Sequence, residues 1–292
     1  MLTILIPAYN EEDAIVGTIA HLRQVLEANG ISGAEILVID DGSKDETGRR
    51  ATEAGARVLT NPHNIGYGRS LKRGVDAASH DTICMTDADL TYPAEAIPAL
   101  LQEYRRGNDM VVGARQGLTQ HDSMLKSPLR RALRALVEYA AGRHVPDANS
   151  GMRVFSRAGL LPHLPYLCDR FSFTTSMTIA YMLTGRFVTY LPIEYRKRVG
   201  SSHVRLLRDI PRTILYISLS TMYYRPLKIF LLVCALCVAL AAISLSVGAI
   251  FTIKAGYYLG LAALVMVLLV FVMGLVADVL RQILLGEGDV PR

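Results

Sequence analysis

The stretch "TICMTDADLTYP" (82–93) places two carboxylates, Asp87 and Asp89, one residue apart after a run of strand-forming residues. Positions i and i+2 of a strand point to the same side, so at a loosening strand end both can converge on one cation. A hard divalent ion takes carboxylate and phosphate oxygens and completes its shell with water. Three more polar clusters accompany this one: "PAYNEE" (7–12), "DDGS" (40–43) and "NPHNIGYGRSLKRG" (61–74). Their combined chemistry suits a nucleoside diphosphate. Asp40 or Asp41 would accept from a base N–H or a ribose hydroxyl, Asp87 and Asp89 would hold the metal, and Lys72 or Arg69 would meet remaining phosphate charge. Each cluster alone has a plainer reading: Asn10 and Ser43 as helix caps, Asp41-Gly42 as turn residues, Gly66 and Gly68 as a tight turn. The sequence has no G-x-x-x-x-G-K-[ST] loop and no G-x-G-x-x-G after its first strand, which excludes a P-loop enzyme and an ordinary dinucleotide fold.

The elements that must position these clusters alternate. Strands are expected at 2–7, 34–40, 56–60, 82–87 and 109–114. Helices are expected at 11–26, 43–55 (with Ser43 and Glu46 as a capping box), 69–78 and 94–105. Such alternation predicts a parallel α/β sheet with helices on both faces and ligands at the C-terminal strand ends. All four clusters fall on that rim. Beyond residue 114 the rhythm changes. A basic loop and helix span 115–143, strands are expected at 150–156 and 186–195, and a helix at 173–183. Asp209 to Tyr224 reads as an interfacial helix with Pro211 in its first turn.

Of the 292 residues, 51% are hydrophobic, and the excess lies at the C-terminus. Ile229 to Ile253 and Ala255 to Ala277 are charge-free runs of 25 and 23 residues, separated by Lys254. A bilayer core of about 30 Å needs about 20 helical residues, so the two runs read as a membrane hairpin. Net charge is +5, unevenly spread: residues 1–60 hold ten acids against five bases, and residues 196–228 hold eight bases against Asp209. A basic block directly before the first span is cytoplasmic by the positive-inside rule, which puts both chain ends inside. The N-terminus lacks the basic region and long apolar run of a signal peptide. Cys234 and Cys237 form a C-x-x-C inside an apolar helix, where packing rather than zinc or redox chemistry is expected.

In order along the chain, "IPAYNEE", "VIDDGS", N-x-G-x-G (64–68), "DADL", "NSGMRVF" (149–155) and "YRKRVGSS" (195–202) resemble glycosyltransferase family two, in its polyprenyl-phosphate branch. The resemblance covers about residues 1–205, and the two apolar runs extend it. It implies an α/β fold of the GT-A type with a C-terminal two-helix transmembrane hairpin. The domains would be a catalytic domain (1–203), a juxtamembrane amphipathic helix (204–226), two transmembrane helices (227–278) and a cytoplasmic tail (279–292). It also implies a UDP- or GDP-sugar donor, a polyprenyl phosphate acceptor such as undecaprenyl or dolichyl phosphate, and Mg²⁺ or Mn²⁺ held by the D-x-D. Carried over residue by residue, Pro7, Tyr9, Glu11 and Asp41 line the nucleotide, while Asp87 and Asp89 serve ribose or metal and diphosphate. Arg153, Arg198 and Ser202 meet phosphate groups of donor or acceptor. Arg196, His203 and Arg205 join the acceptor side, and catalysis would rest on Asp87, Asp89, Arg153 and Arg198. Two positions depart from the family: Thr91-Tyr92 replaces a frequent Gln-His, and Ser202-His203 a frequent Ser-Lys.

The resulting expectation is an inverting, metal-dependent glycosyltransferase of the cytoplasmic (inner) membrane, multi-pass, with its catalytic domain on the cytoplasmic side. A homo-oligomer is compatible with it and no nucleic-acid partner is expected. The competing readings are a transferase with another lipid acceptor such as diacylglycerol and a non-enzymatic membrane subunit with a vestigial nucleotide fold. A processive polysaccharide synthase needs a Q-x-x-R-W motif, and this chain has no tryptophan.

Overall fold

The structure is a computed structural model that describes residues 1–116, 126–196 and 206–285. It divides into two compact units, Met1–Ile217 and Ser218–Arg292.

The first unit begins as the alternation predicts. Strands β1 (Leu2–Ala8), β2 (Glu35–Asp40), β3 (Arg57–Thr60) and β4 (Thr82–Met85) are linked by helices α1 (Ile15–Ala28), α2 (Thr47–Glu53) and α3 (Tyr67–Ala77). β1 pairs in parallel with both β2 and β4, and β2 with β3. β1 is buried along its whole length, because helices cover both faces of a central parallel strand. A 3₁₀ turn (Ala94–Ala96) leads into α4 (Ile97–Tyr104), followed by β5 (Met110–Gln116) and α5 (Lys126–Ala141).

Here the sheet departs from the all-parallel expectation. Strand β6 (Arg153–Ser156) runs antiparallel between β4 and β5, giving seven strands in the order β3-β2-β1-β4-β6-β5-β7. β6 leads into the short helix α6 (Arg157–Leu160), a 3₁₀ segment (Leu161–Tyr166) and the buried helix α7 (Phe173–Leu183). The last strand, β7 (Val188–Glu194), pairs with β5 and, among the described residues, forms an edge that contains Pro192.

Two local expectations are corrected. Ser43 and Glu46 form no capping box: α2 begins at Thr47 without a side-chain cap. Ser43 Oγ instead accepts from the backbone N–H of Asn10, 3.0 Å away. Helix α8 (Leu206–Tyr224) starts earlier than the pattern suggested, so Pro211 lies inside it rather than in its first turn.

The second unit holds α9 (Pro226–Phe251) and α10 (Lys254–Leu285), two helices long and apolar enough to cross a membrane. Most of their large side chains are exposed, Leu236, Ile243, Leu261 and Leu268 among them. Small residues form the seam. A Cβ on Gly256 would lie 2.8 Å from Gly248 Cα, and one on Gly260 would lie 2.5 Å from Leu245 Cγ. Lipid is as apolar as the helices, so close backbone approach through small residues is what holds them together. Cys234 is buried, and its thiol faces the carbonyl of Val267. All four cysteines are free.

Candidate functional site

The C-terminal ends of β1, β2 and β4 form one rim, and their loops interlock. Asn10 holds a left-handed conformation (φ 55°). Its carbonyl side-chain oxygen accepts from Lys44 N at 2.9 Å. Glu11 N donates to Thr47 Oγ1 at 2.9 Å, and Asp41 N to Ala8 O at 2.9 Å. The rim is therefore braced before any ligand arrives. Pro7 is buried within β1, while Tyr9 and Glu11 are half-buried beside it.

Asp40 and Asp41 are both buried and turned inward. Asp40 Oδ1 accepts from Ser43 N at 2.9 Å, and its Oδ2 lies against Gly48, where a Cβ would come within 2.6 Å. Asp41 accepts from Asn61 Nδ2 (2.8 Å), Ile65 N (2.9 Å) and Gly66 N (2.9 Å). A carboxylate in that position shapes the 61–66 loop. Lys72 departs from its expected role. Its Nζ donates to Leu167 O (2.6 Å) and Asp169 Oδ1 (2.7 Å), tying α3 to the loop before α7. The same contact explains Gly68. A Cβ there would lie 2.3 Å from the carbonyl oxygen of Cys168, so only glycine lets the two backbones meet.

Asp87 and Asp89 stand together past β4, both half-buried. Thr91 donates to Asp89 Oδ1 from its backbone N–H (3.2 Å) and from its hydroxyl. Between them Leu90 holds φ 58°, an uncommon conformation for a side-chain-bearing residue that tends to mark functional turns. Tyr67 Oη donates to Asp87 Oδ1 at 3.3 Å. Burial and the adjacent Asp87 carboxylate push its phenol well above the ordinary value, so it stays a donor. Gly151 also presses its backbone against Asp87: a Cβ would sit 2.8 Å from Oδ1. Gly151 N donates to Tyr92 Oη at 2.6 Å, which fixes that approach.

Arg153 is fully buried on β6. Its guanidinium donates to Ser150 O (2.6 and 3.1 Å), Ala148 O (3.4 Å), Thr174 O (3.1 Å) and Thr178 Oγ1 (3.2 Å). Burial pulls its pKa down from the ordinary value. The side chain clamps the 148–151 turn to α7 from beneath, and so is withdrawn from the phosphate contact assigned to it from sequence.

The sequence reading missed an ion pair. Arg115, at the end of β5, binds Asp147 through two bonds (2.7 and 2.9 Å) and lies over the Tyr195 ring, with 5.3 Å from Cζ to the ring centroid. Asp147 also accepts from Arg115 N and Asn149 N. Burial raises the Asp147 carboxyl, but these bonds outweigh it and hold the pKa below its ordinary value. A basic residue just past a strand end and an acid in "PDANSG" were the available signals.

Arg196 is exposed. Its N–H donates to Thr91 O at 2.9 Å, and its guanidinium faces Glu95 at 3.6 Å. The turn that carries Asp89 is thus tied to the start of the basic segment. Arg198, Ser202, His203 and Arg205 lie outside the described residues. Among the described residues, no group of three or more His, Cys, Asp or Glu is placed to hold a metal alone.

Comparison with known proteins agrees with this geometry. Undecaprenyl-phosphate 4-deoxy-4-formamido-L-arabinose transferases of Salmonella paratyphi B and Salmonella enteritidis are 26% identical over 253 residues, 84% of this chain and 74% of theirs. Glucosyl-3-phosphoglycerate synthase from Mycobacterium tuberculosis, solved with Mn²⁺, UDP and phosphoglyceric acid, superposes with a TM-score of 0.61. It shares 22% identity, covering 76% of this chain and 78% of that one. Its complex with UDP alone gives 0.60 at 22% identity, over 76% and 80% of the two chains. These likenesses establish the GT-A fold. The sequence model of glycosyl transferase family 2 matches residues 3–161, more than half of the chain, from β1 through the braced rim and the Asp87–Asp89 turn to β6. The chain belongs to that family and is a glycosyltransferase.

Proposed function

We propose that this enzyme moves a sugar from a nucleotide-sugar donor to a polyprenyl phosphate at a membrane, with inversion at the anomeric carbon. The observation that carries this reading is the Asp87–Asp89 turn, held from both sides on the donor rim and bonded through Thr91 O to the segment that opens the basic block. The names of the Salmonella relatives, which act on undecaprenyl phosphate, support the acceptor. So do the two apolar helices that follow.

The residues present fit a divalent cation. Asp87 and Asp89 are both half-buried just past β4, and the lack of a side chain on Gly151 spares the Asp87 carboxylate, since a Cβ there would come within 2.8 Å of Oδ1. Two protein ligands suit an ion whose shell is completed by diphosphate and water. Mg²⁺ or Mn²⁺ bound there would stabilise the charge that develops on the departing diphosphate. The chain itself would hold the donor and bring the acceptor into line. Tyr9 and Glu11 sit on the rim where a nucleotide would lie, with Asp40 and Asp41 as the framework beneath. Arg196, Arg198, Ser202, His203 and Arg205 would gather the acceptor phosphate.

No side-chain base is required. Asp147 is half-buried, but it already accepts four bonds and is held in its ionised form. The acceptor, a phosphate monoester with a second pKa of about 6, is itself mostly ionised at neutral pH. Its oxygen attacks the anomeric carbon opposite the nucleotide, and the nucleoside diphosphate leaves with the bonding pair. Incubating membranes with radiolabelled nucleotide sugars should put label into the lipid extract, and an α-linked donor should give a β-linked product. The rate should fall as pH drops through about 6. A retained anomeric configuration would reject the displacement, and label found only in diacylglycerol lipids would reject the acceptor.

The hairpin carries its own test. With both chain ends inside, Ala255→Cys at the exposed tip should react with a membrane-impermeant thiol reagent from outside intact cells. Gly256 is unsuitable, because its Cβ would strike Gly248. Labelling only after lysis would reverse or remove the proposed topology.

A further inference from the structure

We propose that Tyr67 is a positioning residue that sets the orientation of the Asp87 carboxylate for the metal–diphosphate. The inference rests on the reading of Asp87 as a metal-binding group and extends it to a residue outside the D-x-D. Tyr67 is the first residue of α3, directly after the loop that Asp41 clamps through Ile65 N and Gly66 N. Its phenol reaches Asp87 Oδ1 across the rim. The ring is backed by Phe171, with centroids 5.9 Å apart and planes at 38°.

Phe171 belongs to the loop before α7, and that loop is fastened to three further residues of α3. Arg69 N donates to Asp169 O at 3.0 Å, Lys72 bonds Asp169 and Leu167 O, and Gly68 lies against the Cys168 carbonyl. The hydroxyl is therefore delivered to a fixed point. Gly151 also lies against this carboxylate, where a Cβ would come within 2.8 Å of Oδ1. Rotation of Asp87 about its Cβ–Cγ bond is limited by both neighbours, and of these two Tyr67 contributes a directional bond. This gives the buried Asp41 and the N-x-G-x-G motif a shared purpose. They aim a phenol at the metal ligand, and partners of this kind typically change metal affinity or activity by about 10–100-fold when removed.

Tyr67→Phe keeps the ring and its contact with Phe171 but deletes the hydroxyl. In the purified full chain, Mn²⁺ affinity in the presence of UDP would be measured directly, from the free Mn²⁺ signal in electron paramagnetic resonance. Asp87→Asn and the double variant would be measured in parallel. Tyr67→Phe should weaken Mn²⁺ binding about tenfold, and raise the Mn²⁺ concentration for half-maximal rate by a similar factor. Its kcat at saturating Mn²⁺ and its Tm should stay close to wild type. On an Asp87→Asn background it should add nothing. Wild-type Mn²⁺ affinity in Tyr67→Phe beside a weakened Asp87→Asn would overturn this proposal alone. Full Mn²⁺ affinity in Asp87→Asn would overturn the metal assignment and the proposal together. A lowered Tm with equal losses at all Mn²⁺ concentrations would make Tyr67 a structural residue and also overturn it.

Discussion

Asp89→Asn is expected to lower turnover by at least about a hundredfold, the scale seen when one group that stabilises developing charge is removed. The substitution preserves shape. Thr91 can still donate to the remaining carbonyl oxygen of the side chain, so the turn with Leu90 at φ 58° should persist. What disappears is one negative charge from a pair of carboxylates, and a hard cation is held mainly by charge and oxygen count. Steady-state rates over a Mn²⁺ or Mg²⁺ titration would check this, together with wild-type enzyme in excess chelator. Robust turnover in EDTA would remove the metal from the reaction.

The second large effect is on stability. Arg153→Met is expected to cost about 3 kcal/mol or more, because buried carbonyls of Ser150 and Thr174 lose their donors. For a unit of this size that corresponds to a fall in Tm on the order of 6–12 °C. Arg153→Lys should rescue little, since one ammonium cannot reproduce a planar fork that serves acceptors on two segments. Thermal unfolding of the purified variants would measure the shift. An Arg153→Met enzyme with wild-type Tm and lost turnover would return this arginine to the phosphate role that the motif suggested.

Arg153 shows where sequence stops being informative. Its residue type and motif marked it as a phosphate contact, and the structure gives it buried carbonyl partners instead. Whether a guanidinium points into a cleft or under it depends on the neighbours of β6, and these come from residues 82–85 and 110–112. Local periodicity reported the strands themselves well, since each alternation of strand and helix is written in adjacent residues. It did not report that β6 would enter antiparallel between β4 and β5. The errors share that cause. Ser43 was available as a cap until Asn10, 33 residues away, recruited it. Lys72 resembled a phosphate ligand until Asp169, 97 residues on, neutralised it. Arg115 and Asp147 passed unnoticed because neither forms a motif without the other. The type of chemistry was legible from the rim clusters. Which side chains are already occupied within the fold was not.

The free margin of β7 bears on how the protein behaves when concentrated. An outer strand offers a row of backbone groups to any other extended chain, and this row is interrupted by Pro192, whose nitrogen has no hydrogen to give. Prolines are tolerated in sheets at such outer strands, where the missing N–H costs no ladder bond. Glu194 adds an exposed charge two residues later. The sheet therefore carries its own guard against edge-to-edge aggregation. Replacing Pro192 during engineering for expression or crystallisation would remove that guard without touching the reaction.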